Sequence, residues 1–476
     1  MKVRERMPRT AGSGRRPMGA AGEGAGGFAV PAMLALLVGF LLLCALTGGS
    51  SRWDVTLLLL LRPLSVLCLA GVLLLPGQPL RLTPPLVLLL LWAAIMVVQL
   101  LPLPPSIWTH LPGRAEIADA VRAAELQPAW RPISLVPDLT WNSLLTLLPP
   151  LAVLIGFGRV APDQRPWLVP VLIGIGTLSA VLGTLQMSTE IRLLYFYRVP
   201  DVSTPMGLFP NHNHQAAFLA LMLPFLRVWT LLPAASPGAR RTRGIAALGL
   251  GLLMLVILLL TGSRAGLVLG LVGLLAAWLI HPRFGRDGKG QRMPLWKGVA
   301  LVAGPVLLLA AVILLGKALA LDAVLATDTL EAEQRFQLLP TVLDAVRTYF
   351  PVGSGFGSFD AVFRHFEPDF NLNPAYFNHA HNDLVEIALE GGAVAPLVLA
   401  GFLGWFSARG LSMWRRRAER AGSPIWIARA AFFGVLILGA SSLVDYPLRT
   451  PLLAALFALF CGMMESSWTE ARARDA

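Results

Sequence analysis

Long apolar runs recur along the whole chain and are separated by short stretches that carry most of the charged residues. Twelve of these runs approach the roughly 20 residues that an α-helix needs to cross a bilayer. The pattern therefore predicts an all-α polytopic membrane protein with about twelve transmembrane helices. The predicted spans cover residues 28–46, 55–75, 85–101, 142–158, 167–186, 212–233, 245–262, 264–281, 298–316, 391–408, 429–445 and 450–465.

The composition agrees with this class. Hydrophobic residues make up 55% of the chain and charged residues only 14%, and the mean hydropathy is +0.66. The net charge of +12 would suggest a nucleic-acid partner in a soluble protein, but the Lys and Arg residues collect in alternate loops. No nucleic-acid partner is therefore expected. Cys44, Cys68 and Cys461 lie within apolar runs and are predicted to be small core residues.

The basic loops set the predicted orientation, because Lys and Arg are enriched on the cytoplasmic side of membrane proteins. Both chain ends are predicted to be cytoplasmic. The apolar run after the basic N-terminus is longer than the core of a signal peptide, so it is predicted to be retained as the first span. The predicted segments are a basic, disordered N-terminus (1–27), spans one to nine (28–316), a large outer loop containing helices (317–390), spans ten to twelve (391–465) and a cytoplasmic tail (466–476).

The outer loop has helical spacing over residues 331–349, followed by a glycine-rich turn segment at 353–358. One apolar face of this helix is predicted to consist of Phe336, Leu339, Leu343 and Val346.

Two histidines and three carboxylates lie within residues 376–392. Asp383 and Glu386 have the spacing of a capping box, so a helix is predicted to begin near Asp383, with His381 on the turn before it. A helix start favours bound anions, and histidine titrates near neutral pH. The sequence leaves two interpretations open: an anion site with a base beside it, or two exposed loop histidines before an ordinary capped helix.

Three arginines are candidates for an anion site, because the guanidinium group keeps its charge and binds phosphate oxygens in pairs. Arg264 stands where the eighth span begins, and it either meets a ligand there or reaches to the head-group layer. Arg335 either contacts a ligand or pairs with Glu331. Arg449 either contacts a ligand or pairs with Asp445.

A polar cluster, Asn211-His212-Asn213-His214, begins the sixth span. It either lines the same cavity as the outer loop histidines or is a polar helix start that faces water. A metal site is the competing use of these histidines together with His379, His381 and Asp383. Their spacing matches no common zinc pattern, so neither a metal nor another cofactor is expected.

Several of these motifs together resemble the O-antigen ligase and O-antigen polymerase family of bacterial envelope glycosyltransferases. The resemblance covers most of the chain from about residue 100 onward. The motifs that carry it are Ser263-Arg264-Ala-Gly, Pro210-Asn211-His212-Asn213, the Arg335 helix followed by Pro351-Val-Gly-Ser-Gly355-Phe-Gly357, and His381-Asn382 leading to Gly392.

The resemblance implies a metal-independent, inverting transfer of a glycan from undecaprenyl pyrophosphate to a hydroxyl of lipid A-core. It also implies a multi-pass protein of the bacterial inner membrane with its active site, and hence the outer loop, on the periplasmic side. By the same resemblance His381 is the catalytic residue, and Arg264 and Arg335 bind pyrophosphate. Further candidate substrate contacts are Asn382, His379, His212, His214 and Arg449. The expected partners are the lipid-linked glycan donor, a lipid A-core or glycan acceptor, and membrane lipid.

Two other functions remain open from the sequence. A polymerase that joins lipid-linked repeat units of O-antigen or exopolysaccharide would have the same fold and outer loop. A polysaccharide transporter would be expected to hold charged residues near the bilayer midplane and to show an inverted repeat. The sequence has no visible repeat and gathers its polar groups outside the spans, which favours an enzyme.

Overall fold

A computed structural model describes residues 31–189, 191–199, 204–280, 337–371, 377–415 and 424–475. The basic N-terminus (1–27), the ninth predicted span (298–316) and Arg335 lie outside these residues. The described part is almost entirely helical. Its helices are α1 (Ala32–Thr47), α2 (Leu58–Leu74), α3 (Pro84–Leu100), α4 (Pro105–Trp108), α5 (Ala115–Ala123), α6 (Pro137–Leu145), α7 (Leu148–Arg159), α8 (Leu168–Thr189), α9 (His212–Leu231), α10 (Pro237–Leu260), α11 (Arg264–Leu279), α12 (residues 337–349), α13 (Phe359–Phe366), α14 (Asp383–Gly391), α15 (Val394–Arg415), α16 (Pro424–Ser441) and α17 (Pro451–Asp475).

Apolar helices dominate the described part of the chain. Six helical segments there are long and apolar enough to cross a membrane, and five shorter helices are apolar as well. Each predicted span except the ninth coincides with one of these segments. The all-α membrane class is therefore confirmed, whereas the number of crossings and the side on which each loop lies stay predictions.

Helix α9 lies at the centre of the bundle, where it packs against α8, α10, α11 and α16. Small residues let α11 come close: Gly266 faces Ala216 and Gly273 faces the Ala220 carbonyl, and a Cβ on either glycine would overlap its neighbour. The contacts follow the same order along both helices, so α9 and α11 run parallel. Arg264 therefore begins α11 at the end of the bundle where α9 also begins.

The predicted span at 142–158 is interrupted, because α6 and α7 meet at Thr146 and Leu147. Pro149 and Pro150 lie in the first turn of α7, where a missing backbone N–H is tolerated. The residues of α6 just before this interruption contact the glycine segment 353–358, since Leu139 and Ser143 lie against Gly357.

Outside the long helices, a two-stranded antiparallel ladder joins β1 (Pro102–Leu103) to β2 (Arg131–Pro132). Helices α12 and α13 share a small apolar core in which Leu338 and Val342 meet Phe359 and Phe363. The predicted apolar face of α12 was wrong at Leu343, which is exposed, and right at Val346, which packs against this core. The helix carries two apolar rows one residue apart, and the row that meets the α13 phenylalanines is the buried one. Phe336 lies outside the described residues.

Candidate functional site

The glycine segment 353–358 holds the C-terminal end of α14. Gly353, Gly355 and Gly357 have φ values of +87°, +100° and +83°, which a residue with a Cβ rarely adopts. This backbone lets Ser354 donate its N–H to the Leu389 carbonyl at 2.9 Å and Gly355 donate to the Glu390 carbonyl at 3.0 Å. The orientation of α14 is therefore fixed by backbone contacts at its end.

At its other end, α14 begins at Asp383, as the sequence predicts, but the cap is different. The Asn382 side-chain oxygen accepts the N–H groups of Leu384 at 3.0 Å and Val385 at 3.3 Å. The predicted capping box of Asp383 and Glu386 was wrong, because Asn382 is the N-cap residue. The Glu386 N–H donates to the Asn382 carbonyl oxygen, and the Glu386 side chain is buried in the protein. Asn382 is thus the residue that fixes the turn after His381.

Arg449 binds the buried face of α14. Its guanidinium group lies 3.2 Å from Asp383 Oδ1, 3.1 Å from Glu386 Oε1 and 3.3 Å from Glu390 Oε2. The three carboxylates stand on successive turns, so a single arginine reaches all of them. The sequence suggested that Arg449 contacts a ligand or pairs with Asp445, and neither alternative includes these ion pairs. Arg449 pairs with the carboxylates of α14, while Asp445 lies beside histidines.

The charges in this cluster shift the pKa values of the three carboxyl groups in different directions. Burial raises the pKa of Asp383 to about 6 and that of Glu390 to about 7, although Arg449 opposes both shifts. Burial also opposes ionisation of Glu386, but Arg449 and His379 together outweigh it and lower the Glu386 pKa to about 2. The three carboxylates raise the pKa of Arg449 against the effect of burial. Glu386 therefore remains ionised at neutral pH, while Glu390 is partly protonated.

Both histidines of the outer loop are mostly buried, so the interpretation as exposed loop histidines was wrong. His379 Nδ1 lies 2.8 Å from Glu386 Oε1. His381 has a φ of +49°, an uncommon left-handed conformation for a residue with a side chain, and 15% of its side chain is exposed. Its Nδ1 lies 3.3 Å from Oδ1 of the buried Asp445. A strained backbone at a mostly buried histidine beside a carboxylate is a common feature of active sites.

Asp445 joins this histidine to the start of α9. Its Oδ2 accepts a hydrogen bond from Asn211 Nδ2 at 3.1 Å and lies 3.7 Å from His214 Nε2. Only 1% of the His214 side chain is exposed. The alternative that the cluster at 211–214 faces water was therefore wrong for His214, and the two histidine motifs of the sequence meet at one carboxylate.

Tyr446 packs among three histidines. Its ring centroid lies 4.2 Å from that of His379, 5.0 Å from that of His381 and 5.3 Å from that of His214. Because Tyr446 is itself buried, it holds the imidazole rings in place.

Most of the predicted site residues whose positions are described come together. His379, His381, Asn382, His214 and Arg449 form one connected site, and His212 is the partly buried first residue of α9. Arg264 is exposed at the same end of the bundle, and Arg335 lies outside the described residues. Sequence reasoning missed the roles of Asp445, Tyr446 and Glu390. For Asp445 and Tyr446 the sequence did contain a signal: residues 445–449 carry an acidic, an aromatic and a basic side chain between two apolar spans.

The arrangement favours proton transfer. A carboxylate at Nδ1 of His381 selects the tautomer protonated on that nitrogen and leaves Nε2 to accept a proton. The two atoms lie 3.3 Å apart without the alignment of a hydrogen bond, and catalytic contacts are often poorly aligned before the substrate binds. Among the described residues, no group of three or more His, Cys, Asp or Glu side chains is arranged to hold a metal ion.

Comparison with known families agrees with the motifs. A family model described as O-antigen ligase matches residues 249–400, which include Arg264, the glycine segment, His381 and all of α14. Asp445 and Arg449 lie beyond the matched residues. A search among curated proteins finds no match to the chain. Residues 249–400 are therefore similar to the O-antigen ligase family, in agreement with the sequence motifs.

Proposed function

We propose that the protein transfers a glycan from undecaprenyl pyrophosphate to a hydroxyl of lipid A-core at the periplasmic face of the bacterial inner membrane. The observation that carries the proposal is the contact between His381 and the buried Asp445. Of these two residues, the family match includes His381. The match supports a ligase or polymerase type of activity, and the donor, acceptor and sidedness are our proposal.

In the proposed reaction His381 accepts the proton of the acceptor hydroxyl as the new glycosidic C–O bond forms. The bond between the sugar carbon and the pyrophosphate oxygen breaks in the same displacement, so the configuration at that carbon inverts. A hydroxyl is a poor nucleophile and gains from a positioned base, whereas pyrophosphate leaves readily without an acid. Asp445 stabilises the imidazolium ion that results.

Arg264 and Arg335 are proposed to hold the departing diphosphate. Support for Arg264 comes from its exposed position at the start of α11, where backbone N–H groups and the helix dipole favour an anion. Guanidinium groups stabilise charge as it develops on the leaving oxygen, so the transfer is proposed to be metal-independent.

The other candidate contacts divide into two groups. Arg449, Asn382 and His379 make internal contacts that favour a positioning role, and His214 lies buried against Asp445. His212 stays a candidate substrate contact because it is only partly buried at the start of α9.

The test is the surface polysaccharide of a deletion strain, analysed by gel electrophoresis. Loss of the ligase leaves free lipid A-core and long polymer that is not attached to it, and the wild-type gene restores attachment. Single repeat units on lipid A-core would instead mean a polymerase and would overturn the ligase proposal.

The diphosphate role of Arg264 is tested by two substitutions in that strain. Arg264→Ala is expected to abolish attachment, and Arg264→Lys is expected to restore little of it, because an ammonium group does not bind two oxygens in one plane. Full activity of Arg264→Lys would contradict a bidentate contact.

A further inference from the structure

A second site lies at the end of the bundle opposite the His381 site. A cavity of about 270 Å³ opens between the 78–83 segment, the start of α3, the last turn of α7 and the later part of α17. Helix α17 begins two residues after Arg449, and Glu465 lines the cavity fourteen residues beyond Pro451. At 1.5 Å per residue the two sites are separated by about 21 Å along this helix.

The cavity has a basic rim formed by Arg81, Arg159 and Arg165. Arg159 donates from Nη2 to the Leu75 carbonyl at 2.7 Å, while its buried Nε has no hydrogen-bond partner among the described residues. Arg81 is exposed at the mouth of the cavity. The rim therefore offers guanidinium nitrogen atoms to an anion.

Glu465 is the one carboxylate in the lining among the residues whose side chains the structure describes, and it does not cancel this charge. Glu465 accepts from Arg409 Nε at 2.7 Å and from Trp405 Nε1 at 2.9 Å. Because Arg409 compensates Glu465, Glu465 does not cancel the positive charge that Arg81 and Arg159 bring to the rim.

The wall below the rim is apolar. It consists of Leu86, Leu154, Ile155 and Phe157, which belong to apolar helices α3 and α7. At the mouth, Leu80 is 51% exposed and the neighbouring Leu82 is 77% exposed. An occupant must therefore combine an anionic group with hydrocarbon.

We propose that this cavity binds one anionic phospholipid, with its phosphate at the rim arginines and its acyl chains along the apolar wall. A free phosphate ion would satisfy the rim but would leave the apolar wall and mouth without a partner. The site is independent of the proposed transfer reaction, because it lies at the other end of the helices and shares no residue with the His381 site.

The test is native mass spectrometry of the full chain purified in detergent and mixed with dioleoyl phosphatidylglycerol or dioleoyl phosphatidylcholine. We expect one bound phosphatidylglycerol to be retained in preference to phosphatidylcholine. Each basic residue near a membrane surface contributes about 1 kcal/mol of attraction, so Arg81→Gln is expected to weaken retention about five-fold. Arg240→Gln, which changes an exposed arginine outside the cavity, is the control and is expected to change nothing.

A second pair of variants tests the cavity without removing charge. Gly158 lines the cavity and has open space around the position of a Cβ, so Gly158→Trp is expected to fill the cavity and expel the lipid. Gly174 has equally open space but lies outside the cavity, so Gly174→Trp is expected to keep the lipid. The melting temperatures of both variants are measured, so that lipid retention is compared between proteins of equal stability.

Three results would overturn the proposal. These are equal retention of the two lipids, unchanged retention in Gly158→Trp, and full displacement of phosphatidylglycerol by glycerol 3-phosphate at equal concentration. The last result would identify a site for a free anion and not for a lipid.

Discussion

The carboxylate of Asp445 and the imidazole of His381 come from separate segments of the chain and meet 3.3 Å apart, with Oδ1 of the acid facing Nδ1 of the base. Asp445 is almost completely buried and also accepts a hydrogen bond from Asn211, so the acid cannot turn away without losing that bond. The position of the carboxylate beside His381 is therefore set before a substrate arrives, which lowers the reorganisation that the reaction requires.

The first prediction concerns this pair. His381→Ala is expected to lower the transfer rate by about 10²–10⁴-fold, the usual contribution of a positioned base. Asp445→Asn keeps the shape of the side chain but removes its charge, so it is expected to lower kcat by less than His381→Ala and to leave the KM for the lipid-linked donor unchanged. The measurement is transfer by the purified chain in detergent with a lipid-linked glycan donor.

The control for both variants is His365→Ala. His365 lies on α13 with 60% of its side chain exposed, where it pairs with Glu116. Its removal is expected to leave transfer unchanged. A variant His381→Ala that folds normally and retains near wild-type transfer would exclude His381 as the base.

Local features of the site could be read from the sequence. Apolar periodicity located the helices, and the polar run around His381 placed the start of α14 at Asp383. Such features depend on neighbouring residues, so a single sequence contains them. The cap was missed by one residue, because Asn and Asp are both good N-caps and only the backbone shows which of them has the extended φ.

The long-range pairings could not be read from the sequence. The residues around Arg449 do not indicate that it pairs with three carboxylates of α14 and not with Asp445, which is closer in sequence. The pairing depends on how the last two helices pack against the rest of the protein. The prediction of the buried face of α12 failed at Leu343 for the same reason. The helix has two apolar rows one residue apart, and the position of Phe359 determines which of them is buried.

The second prediction concerns Arg449. Removing one member of a buried ion pair leaves unpaired buried charge and costs about 3–5 kcal/mol, so Arg449→Met is expected to destabilise the protein by that order. Arg449→Lys keeps the charge but not the planar fork, and is expected to give an intermediate loss. Thermal unfolding in detergent measures both.

The matched control is Arg347→Gln. Arg347 pairs with Asp344 on the exposed surface of α12, and its loss is expected to change stability by no more than about 0.5 kcal/mol. An Arg449→Lys variant with normal stability and a raised KM for the donor would instead identify Arg449 as a substrate contact.

The third prediction concerns pH. The pKa of Glu390 in the folded protein, about 7, lies above the usual value of about 4.3, so the folded state holds the extra proton. The resulting stabilisation is complete below the usual pKa and is lost as the pH rises through 7. Asp383, with its pKa raised to about 6, acts in the same direction. The pKa of Glu386 is lowered to about 2, so its contribution is lost only as the pH falls below about 4 and does not vary between pH 5 and 8.

Glu390→Gln isolates this effect, because the amide is neutral at every pH. Between pH 5 and 8 the wild type is expected to lose stability relative to Glu390→Gln, by an amount on the order of 2–3 kcal/mol. Melting temperatures of the two proteins at several pH values provide the measurement. Parallel curves would mean that Glu390 does not titrate in this interval.

The last prediction concerns the glycine segment that holds α14. Gly357 has a φ of +83°, and a Cβ there would lie 2.7 Å from the Leu139 carbonyl oxygen and 2.8 Å from Ser143 Oγ. Gly357→Ala is therefore expected to cost about 1–3 kcal/mol of stability for the backbone conformation alone. Because the Gly357 N–H donates to Glu390 Oε1 at 2.9 Å, displacement of the segment is also expected to shift α14 and lower transfer.

Gly404→Ala is the control: Gly404 lies within α15 with open space around it, so this change is expected to stabilise the helix by about 0.5–1 kcal/mol. If Gly357→Ala melts with the wild type and transfers glycan at the same rate, α14 does not depend on this segment for its position.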